Sequence, residues 1–452
     1  MAKSAEKHPP GLYVLFATEM WERFSFYAML ALFILYLTDS NGGFGWSKKD
    51  ATEVHATYMA AVYFSPLIGG WLADRYLGYR RSVMIGGVFF MAGHLLLAIQ
   101  SEYVMYSALA CLVVGNGFFK PNVSAMVGKM YPEESTLKSS AYSIFYMGIN
   151  FGAFLGPVVM EAVHSKFGYH VAFAVAGGGM LISISLLWMF KRHVEQADLT
   201  RLERNAGGNA NKPAAKSNLE IDKVSDGKRI AALLVIFGIV IAFWMAFHQN
   251  SSTWNYWAKE NTDWQQSAVV PIFVNILTLG IVSGENISGI ISSSINGLFV
   301  ILFTFPVIWF WALLRKFNLE PSTPAKMCIG MLLVAAAYLV MYQGAVNGGD
   351  TGKVSPWYLI NGYAVITLGE LMISPMGLTL VSKVAPDRMR GLMMGGWFAA
   401  TATGNKLVGT IGVMWTEWSH SKFFLVIACI CAAVAALLFV LIKPLKKAMP
   451  GA

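Results

Sequence analysis

Glu19-Met20-Trp21-Glu22-Arg23-Phe24-Ser25-Phe26-Tyr27 places two acids and a base inside an apolar run that extends over residues 12–37. At about 1.5 Å per residue, a helix over this run is long enough to cross a bilayer. Glu19, Glu22 and Arg23 are spaced i, i+3, i+4, and Tyr27 lies one turn further on, so the four side chains share one face.

Charged side chains inside a membrane are costly unless they pair or face a water-filled cavity. Two acids and one base leave one acid without a counter-charge, and such an acid can carry a proton. The stretch therefore predicts a membrane transport protein. The alternative that remains open is a structural ion pair near the end of a helix.

The composition supports a membrane location. The 452 residues are 56% hydrophobic and 13% charged, with a mean hydropathy of +0.53, whereas a soluble domain has about 25% charged residues. The net charge is +9. With both termini inside, most Lys and Arg fall in predicted cytoplasmic segments, as expected of a multi-pass protein of the cell (inner) membrane. The surplus of basic residues therefore indicates topology, and we expect no nucleic-acid partner.

Twelve apolar spans divide into two sets of six. They cover about residues 12–37, 52–77, 82–99, 104–127, 138–161, 170–190, 228–255, 290–314, 325–344, 356–383, 390–415 and 421–442. The polar stretch 191–227 is predicted to be a cytoplasmic linker between an N-terminal six-helix bundle (1–190) and a C-terminal one (228–452). Residues 269–282 are apolar but too short to span, and we expect an external loop there.

This layout is typical of the major facilitator fold, an all-α membrane architecture with two six-helix bundles around a central cavity. Gly69-Gly70-Trp71-Leu72-Ala73-Asp74-Arg75-Tyr76-Leu77-Gly78-Tyr79-Arg80-Arg81 resembles the superfamily's loop between spans two and three. We expect Asp74 to cap a helix N-terminus and Arg75 to face the cytoplasm. The predicted role of this loop is conformational gating without substrate contact.

The fourth and fifth spans carry further polar residues. Lys120 lies in Gly115-Asn116-Gly117-Phe118-Phe119-Lys120-Pro121-Asn122, and a lysine so deep in a span needs an acid or an anion nearby, unless it snorkels to the interface. Pro121 permits a kink. In the fifth span, Gly148, Gly152 and Gly156 form a packing groove, and Asn150 lies off it.

Several of these segments together resemble the proton-coupled oligopeptide transporter family. The first-half segments are Glu19-x-x-Glu22-Arg23-Phe24-x-x-Tyr27, Lys120-Pro121-Asn122 and Phe145-Tyr146-x-x-x-Asn150-x-Gly152. The second-half segments are Ser294-Ile295-Asn296, Gly369-Glu370-Leu371-x-x-Ser374-Pro375, Met393-Met394-Gly395-Gly396-Trp397-Phe398 and Gly404-Asn405-Lys406. The resemblance implies uptake of di- and tripeptides driven by a proton gradient.

A short peptide is a zwitterion, so its site needs fixed charges of both signs. Arg23 and Lys120, with the hydroxyls of Tyr27 and Tyr63, are expected to hold the carboxylate. The expected partners of the ammonium group are Glu370, Asn150 and Asn296. The remaining candidates for substrate contact are Ser374 and the aromatic residues Trp244, Trp254 and Trp397, for which packing is an equally good interpretation.

Proton coupling is expected to use the same charges. Protonation of Glu19 or Glu22 would release Arg23 to the substrate, and Lys120 would exchange between Glu370, Glu22 and substrate. His248 stands where the family commonly has an acid before Gln249. Three roles stay open for it: a proton site, an anion-binding residue or a neutral hydrogen-bonding residue.

Peptide symport is the leading prediction, by a protein whose functional unit is a monomer. Because of His248, the runner-up is transport of another small anionic or zwitterionic solute, such as nitrate or a peptidomimetic. A third possibility is a substrate sensor that does not transport. An enzyme is least favoured, because the sequence shows no catalytic triad or metal-ligand spacing, and we expect no cofactor or metal beyond protons as coupling ions.

Overall fold

A computed structural model describes residues 7–132, 135, 137–198, 221–283, 286–374, 377–386 and 389–450. Most of the predicted linker, residues 199–220, lies outside them. Within the described part, the secondary structure is helical apart from one isolated bridge between Thr262 and Val354. The all-α prediction is therefore confirmed.

The helices are α1 (Pro10–Thr38), α2 (Lys48–Phe64), α3 (Pro66–Leu72), α4 (Tyr79–Leu97), α5 (Glu102–Lys129), α6 (Leu137–Met189), α7 (Asp226–Phe247), α8 (Thr253–Glu260), α9 (Val269–Leu277), α10 (Ser292–Lys316), α11 (Thr323–Gly348), α12 (Trp357–Ile373), α13 (Gly377–Val384), α14 (Arg390–Gly412) and α15 (His420–Ala448). They form two compact units. Unit 1 comprises residues 1–45 and 61–212, and unit 2 comprises residues 46–60 and 213–452.

In unit 1, α1 packs along α6, and α4 packs against α5 and α6. The glycines of α6 permit this close approach: a Cβ atom on Gly156 would lie 2.7 Å from the Phe24 carbonyl oxygen and 2.9 Å from the Ala28 nitrogen. Gly168, with φ +77°, breaks α6 at the boundary that the sequence predicted between its fifth and sixth spans. Glycine adopts this backbone conformation without a steric penalty.

The predicted second span, residues 52–77, is interrupted. α2 ends at Phe64, and α3 begins at Pro66, which has no N–H to donate to the preceding turn. A π-helical turn over Ala73–Leu77 follows, and Gly78 ends it with φ +79°. The span is thus a series of short helical segments, which hydropathy alone does not reveal.

Asp198 caps α4 across 118 residues of sequence. Its Oδ1 accepts the Arg80 backbone N–H at 2.7 Å, and its Oδ2 accepts Arg80 Nε at 3.0 Å. A carboxylate at a helix N-terminus also interacts favourably with the helix dipole. The segment after α6 is thereby tied to the start of α4.

In unit 2, α7 ends in a 3₁₀ turn, His248–Ser251, before α8. Two buried tyrosines satisfy the carbonyl groups that this break leaves free. The Tyr338 hydroxyl donates to the Ala246 carbonyl at 2.6 Å, and the Tyr363 hydroxyl donates to the Asn250 carbonyl at 3.2 Å. The first half of α2 also belongs to this unit, where Lys48 Nζ lies 2.6 Å from Glu260 Oε2.

α10 packs principally against α12, whereas α11 packs against α12 and α15. The turn between α10 and α11 holds an ion-pair network. Glu320 accepts Arg315 Nε and Lys326 Nζ, each at 2.6 Å, and Arg315 Nη2 at 3.0 Å. These ion pairs join the end of α10 to the start of α11, although the two helices do not otherwise pack closely against each other.

Seven helices of the described chain are long and apolar enough to cross a membrane: Pro10–Thr38, Glu102–Lys129, Ser140–Met189, Asp226–Glu260, Ser292–Lys316, Thr323–Gly348 and His420–Ala448. Two of these ranges contain the breaks at Gly168 and at His248–Ser251. The nine-residue α9 lies in the predicted external loop and is too short to span. The full set of twelve spans remains a prediction.

Gly156→Ala should destabilise the packing of α6 on α1, because the new methyl group meets backbone atoms of α1. The expected cost is about 1–3 kcal/mol, as for an overpacked core, and would appear as a lower apparent melting temperature in detergent. Gly178→Ala, in the same helix with nothing within 4 Å of an added Cβ, is the matched control. Equal melting temperatures for the two variants would contradict the proposed close contact.

Glu320 should stabilise the fold in a pH-dependent way. Hydrogen bonds from Arg315 and then Lys326 lower the pKa of Glu320 from 4.5 to about 2. A lowered pKa in the folded state means that the stabilisation is present above about pH 4.5 and is lost as the pH falls towards 2. Glu320→Gln should therefore melt below wild type at pH 7, with the difference shrinking in acid. The exposed Glu417→Gln is the control, and a pH-independent difference would refute the assignment.

Candidate functional site

Unit 1 contains a buried acid–base cluster on α1. Glu19, Glu22 and Arg23 are 1%, 0% and 3% exposed. Arg23 donates through Nε and Nη2 to both oxygens of Glu22, with Nη2–Oε1 at 2.7 Å. Its Nε also lies 3.2 Å from Glu19 Oε1. Glu19 Oε2 has no hydrogen-bond partner among the described residues, so one acid is less fully satisfied than the other.

Lys120 of α5 adds a second cation to the cluster. It interacts electrostatically with Arg23, Glu22 and Glu19, and its Nζ lies 4.5 Å from the centre of the Tyr63 ring. A cation over an aromatic face is held without being neutralised. The four side chains together carry two negative and two positive charges. Glu19 and Glu22 are therefore the acids that the sequence analysis expected near Lys120.

The other predicted residues of unit 1 take different positions. Tyr27 is partly exposed and interacts electrostatically with Arg23, one turn earlier. Asn150 is buried, and its Nδ2 donates to the Tyr146 carbonyl of its own helix at 2.9 Å. The structure thus groups Tyr27, Tyr63 and Lys120 with the cluster on α1, while the Asn150 amide is engaged within α6.

Unit 2 contains a carboxyl site built by α10 and α12. Asn296 donates from Nδ2 to Glu370 Oε2 at 3.0 Å and to Thr367 Oγ1 at 2.9 Å. The amide orients Glu370 without supplying a positive charge. Sequence reasoning missed Thr367, although its position one turn before Glu370 was the available signal.

His248 lies at the break between α7 and α8. Its ring stacks on Trp244 with centroids 4.7 Å apart and an interplanar angle of 19°. Neither tyrosine that supports this break, Tyr338 nor Tyr363, was identified from the sequence. They come from α11 and α12, far along the chain, so no local pattern points to them.

The other two predicted tryptophans contact aromatic neighbours. Trp397 is 7% exposed and meets Phe237 edge-on at 6.5 Å. Trp254 is fully buried, and its ring is T-shaped against Tyr338 at 5.6 Å and Tyr363 at 4.9 Å. Substrate contact by these tryptophans stays a prediction. Ser374 terminates α12 one turn after Glu370, with its backbone N–H bonded to the Glu370 carbonyl.

The predicted gating residues lie in the π-helical turn that precedes α4. Asp74 Oδ1 accepts a hydrogen bond from the hydroxyl of Tyr79, the first residue of α4, at 2.5 Å. Arg75 lies over the Tyr76 ring at 5.7 Å. Asp198 accepts a backbone N–H at this helix start, and the expected cap by Asp74 stays a prediction.

The geometry gives each unit a distinct chemical capacity. Unit 1 can bind an anion once one of its acids is protonated, because Arg23 and Lys120 then exceed the negative charge. Unit 2 can accept hydrogen bonds from a cation at Glu370. These are the capacities of a carrier for protons and charged solutes.

Comparisons with known proteins agree with this architecture. The sequence profile of the Major Facilitator Superfamily matches residues 14–316. A peptide transporter of Yersinia enterocolitica is 32% identical, with 98% of this chain and 96% of that protein covered. A di-/tripeptide transporter of Lactococcus lactis is 28% identical over 98% of this chain and 96% of its own length.

Solved structures lead to the same family. A crystal structure of a mutant of the peptide transporter POT in complex with alafosfalin superposes with a TM-score of 0.83 at 28% identity, covering 99% of this chain and 97% of that one. The resemblance predicted from the α1, α5 and α10–α12 motifs is thus confirmed. The chain belongs to the proton-coupled oligopeptide transporter family of the major facilitator superfamily, and it is a multi-pass membrane protein.

Proposed function

We propose that this protein is a symporter of the cell (inner) membrane that carries di- and tripeptides into the cell together with protons. Both termini would lie in the cytoplasm, and the monomer would be the functional unit. The observation that carries the proposal is the buried cluster of two carboxylates and two cations in unit 1. The names of the relatives support a peptide as the substrate.

The charge balance of this cluster explains how a proton and a peptide would travel together. With both acids ionised, Arg23 is engaged by Glu19 and Glu22, and the cluster is neutral. Adding one proton leaves a net charge of +1, which a peptide carboxylate restores to zero. Because net charge is costly in a low-dielectric bundle, proton and carboxylate each favour binding of the other. Glu19, with one oxygen unpartnered, is the acid that we assign to accept the proton.

Glu370 would recognise the opposite end of the peptide. Its Oε2 is fixed by Asn296, and a carboxylate oxygen so oriented can accept further hydrogen bonds from an ammonium group. Each unit thus supplies the charge that one terminus of a zwitterion requires. Recognition of the termini leaves the peptide side chains largely unspecified, which suits a general peptide carrier.

Two further groups would act in the transport cycle. Asp74 and Arg75 lie where a helical turn meets α4, and we assign them to conformational gating rather than substrate contact. Lys120 would exchange between Glu22, the peptide carboxylate and Glu370 during the cycle. Neither role requires a cofactor other than the coupling protons.

A second candidate substrate is another small anionic or zwitterionic solute. The observation that favours it is His248, which stands in place of an acid and stacks on Trp244. A protonated imidazole there would attract an anion, whereas a neutral one would only donate or accept hydrogen bonds. This candidate predicts transport that does not require a peptide amino group.

Wild-type protein in proteoliposomes should accumulate a labelled dipeptide against its gradient when protons are driven inward, and a protonophore should abolish the accumulation. Glu19→Gln should lose gradient-driven accumulation, because the acid assigned to accept the proton is removed and the cluster keeps a net charge of +1 at all times. The same variant should retain counterflow exchange of peptide, which needs no net proton movement.

Glu102→Gln, at an exposed position on α5, is the control and should accumulate peptide like wild type. Undiminished proton-driven uptake by Glu19→Gln would refute the coupling role. Folded wild-type protein that moves no peptide would refute peptide symport itself. Uptake of nitrate or a small organic anion would then identify the second candidate, and binding without any uptake would identify a sensor.

Glu370→Gln should weaken binding of a dipeptide with a free amino group by roughly tenfold to a hundredfold, the cost of losing a charged hydrogen-bond partner. An N-acetylated dipeptide should compete equally well against wild type and variant, because it carries no ammonium group. Competition against labelled substrate measures both affinities. If Glu370→Gln weakened both ligands equally, the carboxylate would not be recognising the amino terminus.

A further inference from the structure

An apolar groove lies between α10, α11 and α12 of unit 2. It has a volume of about 470 Å³, and all eleven of its lining residues are apolar or aromatic, among them Phe303, Val307, Trp311 and Leu314 of α10, Leu333 of α11 and Met372 of α12. The groove exists because α10 packs principally against α12 and leaves its flank towards α11 open. Phe310, which lines it, is 47% exposed, so the groove opens on the outer surface of the unit.

The length of the groove along α10 matches the thickness of one bilayer leaflet. Its α10 wall runs from Phe303 to Leu314, about 16 Å along the helix axis at 1.5 Å per residue. The hydrocarbon core of a bilayer is about 30 Å thick, so one leaflet contributes about 15 Å. A lipid acyl chain therefore matches the groove in both length and polarity.

The mouth of the groove is basic. Arg315 directly follows Leu314 and lies one turn after Trp311 on α10, and Lys326 Nζ lies 4.7 Å from the centre of the Trp311 ring that lines the groove. Glu320 is the acid of this rim and bridges Arg315 and Lys326. Two cations and one anion leave a net charge of +1, and the Arg315 side chain is 70% exposed.

We infer that this groove binds one acyl chain of an anionic glycerophospholipid, whose phosphate lies against Arg315 and Lys326. The ion pairs of Glu320 hold the rim in place, and the lysine beside Trp311 marks the boundary between chain and headgroup. Basic pockets between transmembrane helices select anionic headgroups, and arginine and lysine bind phosphate oxygens through charge-assisted hydrogen bonds. The site lies entirely within unit 2 and does not depend on which solute the protein carries.

The test uses the full-length protein, stripped of lipid and exposed to equimolar phosphatidylglycerol and phosphatidylcholine, with bound lipid counted by native mass spectrometry. Wild type should retain one phosphatidylglycerol in preference to phosphatidylcholine. Arg315→Gln should reduce that preference about fivefold, the effect of one basic residue near an anionic headgroup. Val307→Trp should abolish retention of either lipid by filling the groove.

Matched controls come from α15, which carries an exposed lysine and a 72% exposed valine at its lipid-accessible end. Lys446→Gln and Val440→Trp should both retain lipid like wild type. If Val307→Trp does not fold, as judged by its melting temperature, Leu333→Trp fills the same groove from α11.

Three results would overturn the inference. Equal retention of the two lipids by wild type would show that the groove holds a chain without selecting its headgroup. Retention of phosphatidylglycerol by folded Val307→Trp or Leu333→Trp would place the lipid elsewhere. An effect of Lys446→Gln as large as that of Arg315→Gln would indicate a general attraction to basic residues.

Discussion

The neutralisation of Glu19 and Glu22 by Arg23 and Lys120 is the constraint on which unit 1 depends. Four ionisable groups in the interior of a helical unit are tolerable only if their charges are balanced. The glycines of α6 bring a helix backbone against this part of α1, and a Cβ atom on Gly152 would lie 2.8 Å from the Arg23 Cβ atom. Close packing keeps water away from the charges, and the need for charge balance then makes protonation and anion binding interdependent.

The two units are chemically unlike each other. Unit 1 concentrates two cations beside two acids, whereas unit 2 presents a carboxyl group that is bonded by the neutral amide of Asn296, which also donates to Thr367. In the proposed function, a zwitterion would need one charge of each kind, and recognition of its two termini would require little of the residues around the peptide side chains.

Helix breaks position functional groups, and residues far along the chain make the hydrogen bonds that the backbone at each break requires. The break after α7 places His248 beside Trp244. The hydroxyls of tyrosines from α11 and α12 donate hydrogen bonds to two backbone carbonyl groups at this break. The start of α4 is capped in the same way by Asp198, from beyond α6. The groove beside α10 arises because α10 packs closely on α12 and leaves its flank towards α11 uncovered. In a membrane, lipid is the molecule available to fill such a groove.

The sequence by itself determined the helical membrane architecture, because apolar length and charge distribution are local properties. It also determined the pairing of Glu19, Glu22 and Arg23, because residues three and four apart on a helix must be neighbours. Only the tertiary structure decided which residues complete these sites. Thr367 of α12 accepts a hydrogen bond from Asn296 of α10, and Tyr338 and Tyr363 reach the α7 break from α11 and α12. Helix packing sets such contacts, and packing depends on side-chain shapes over the whole unit rather than on any single stretch of sequence.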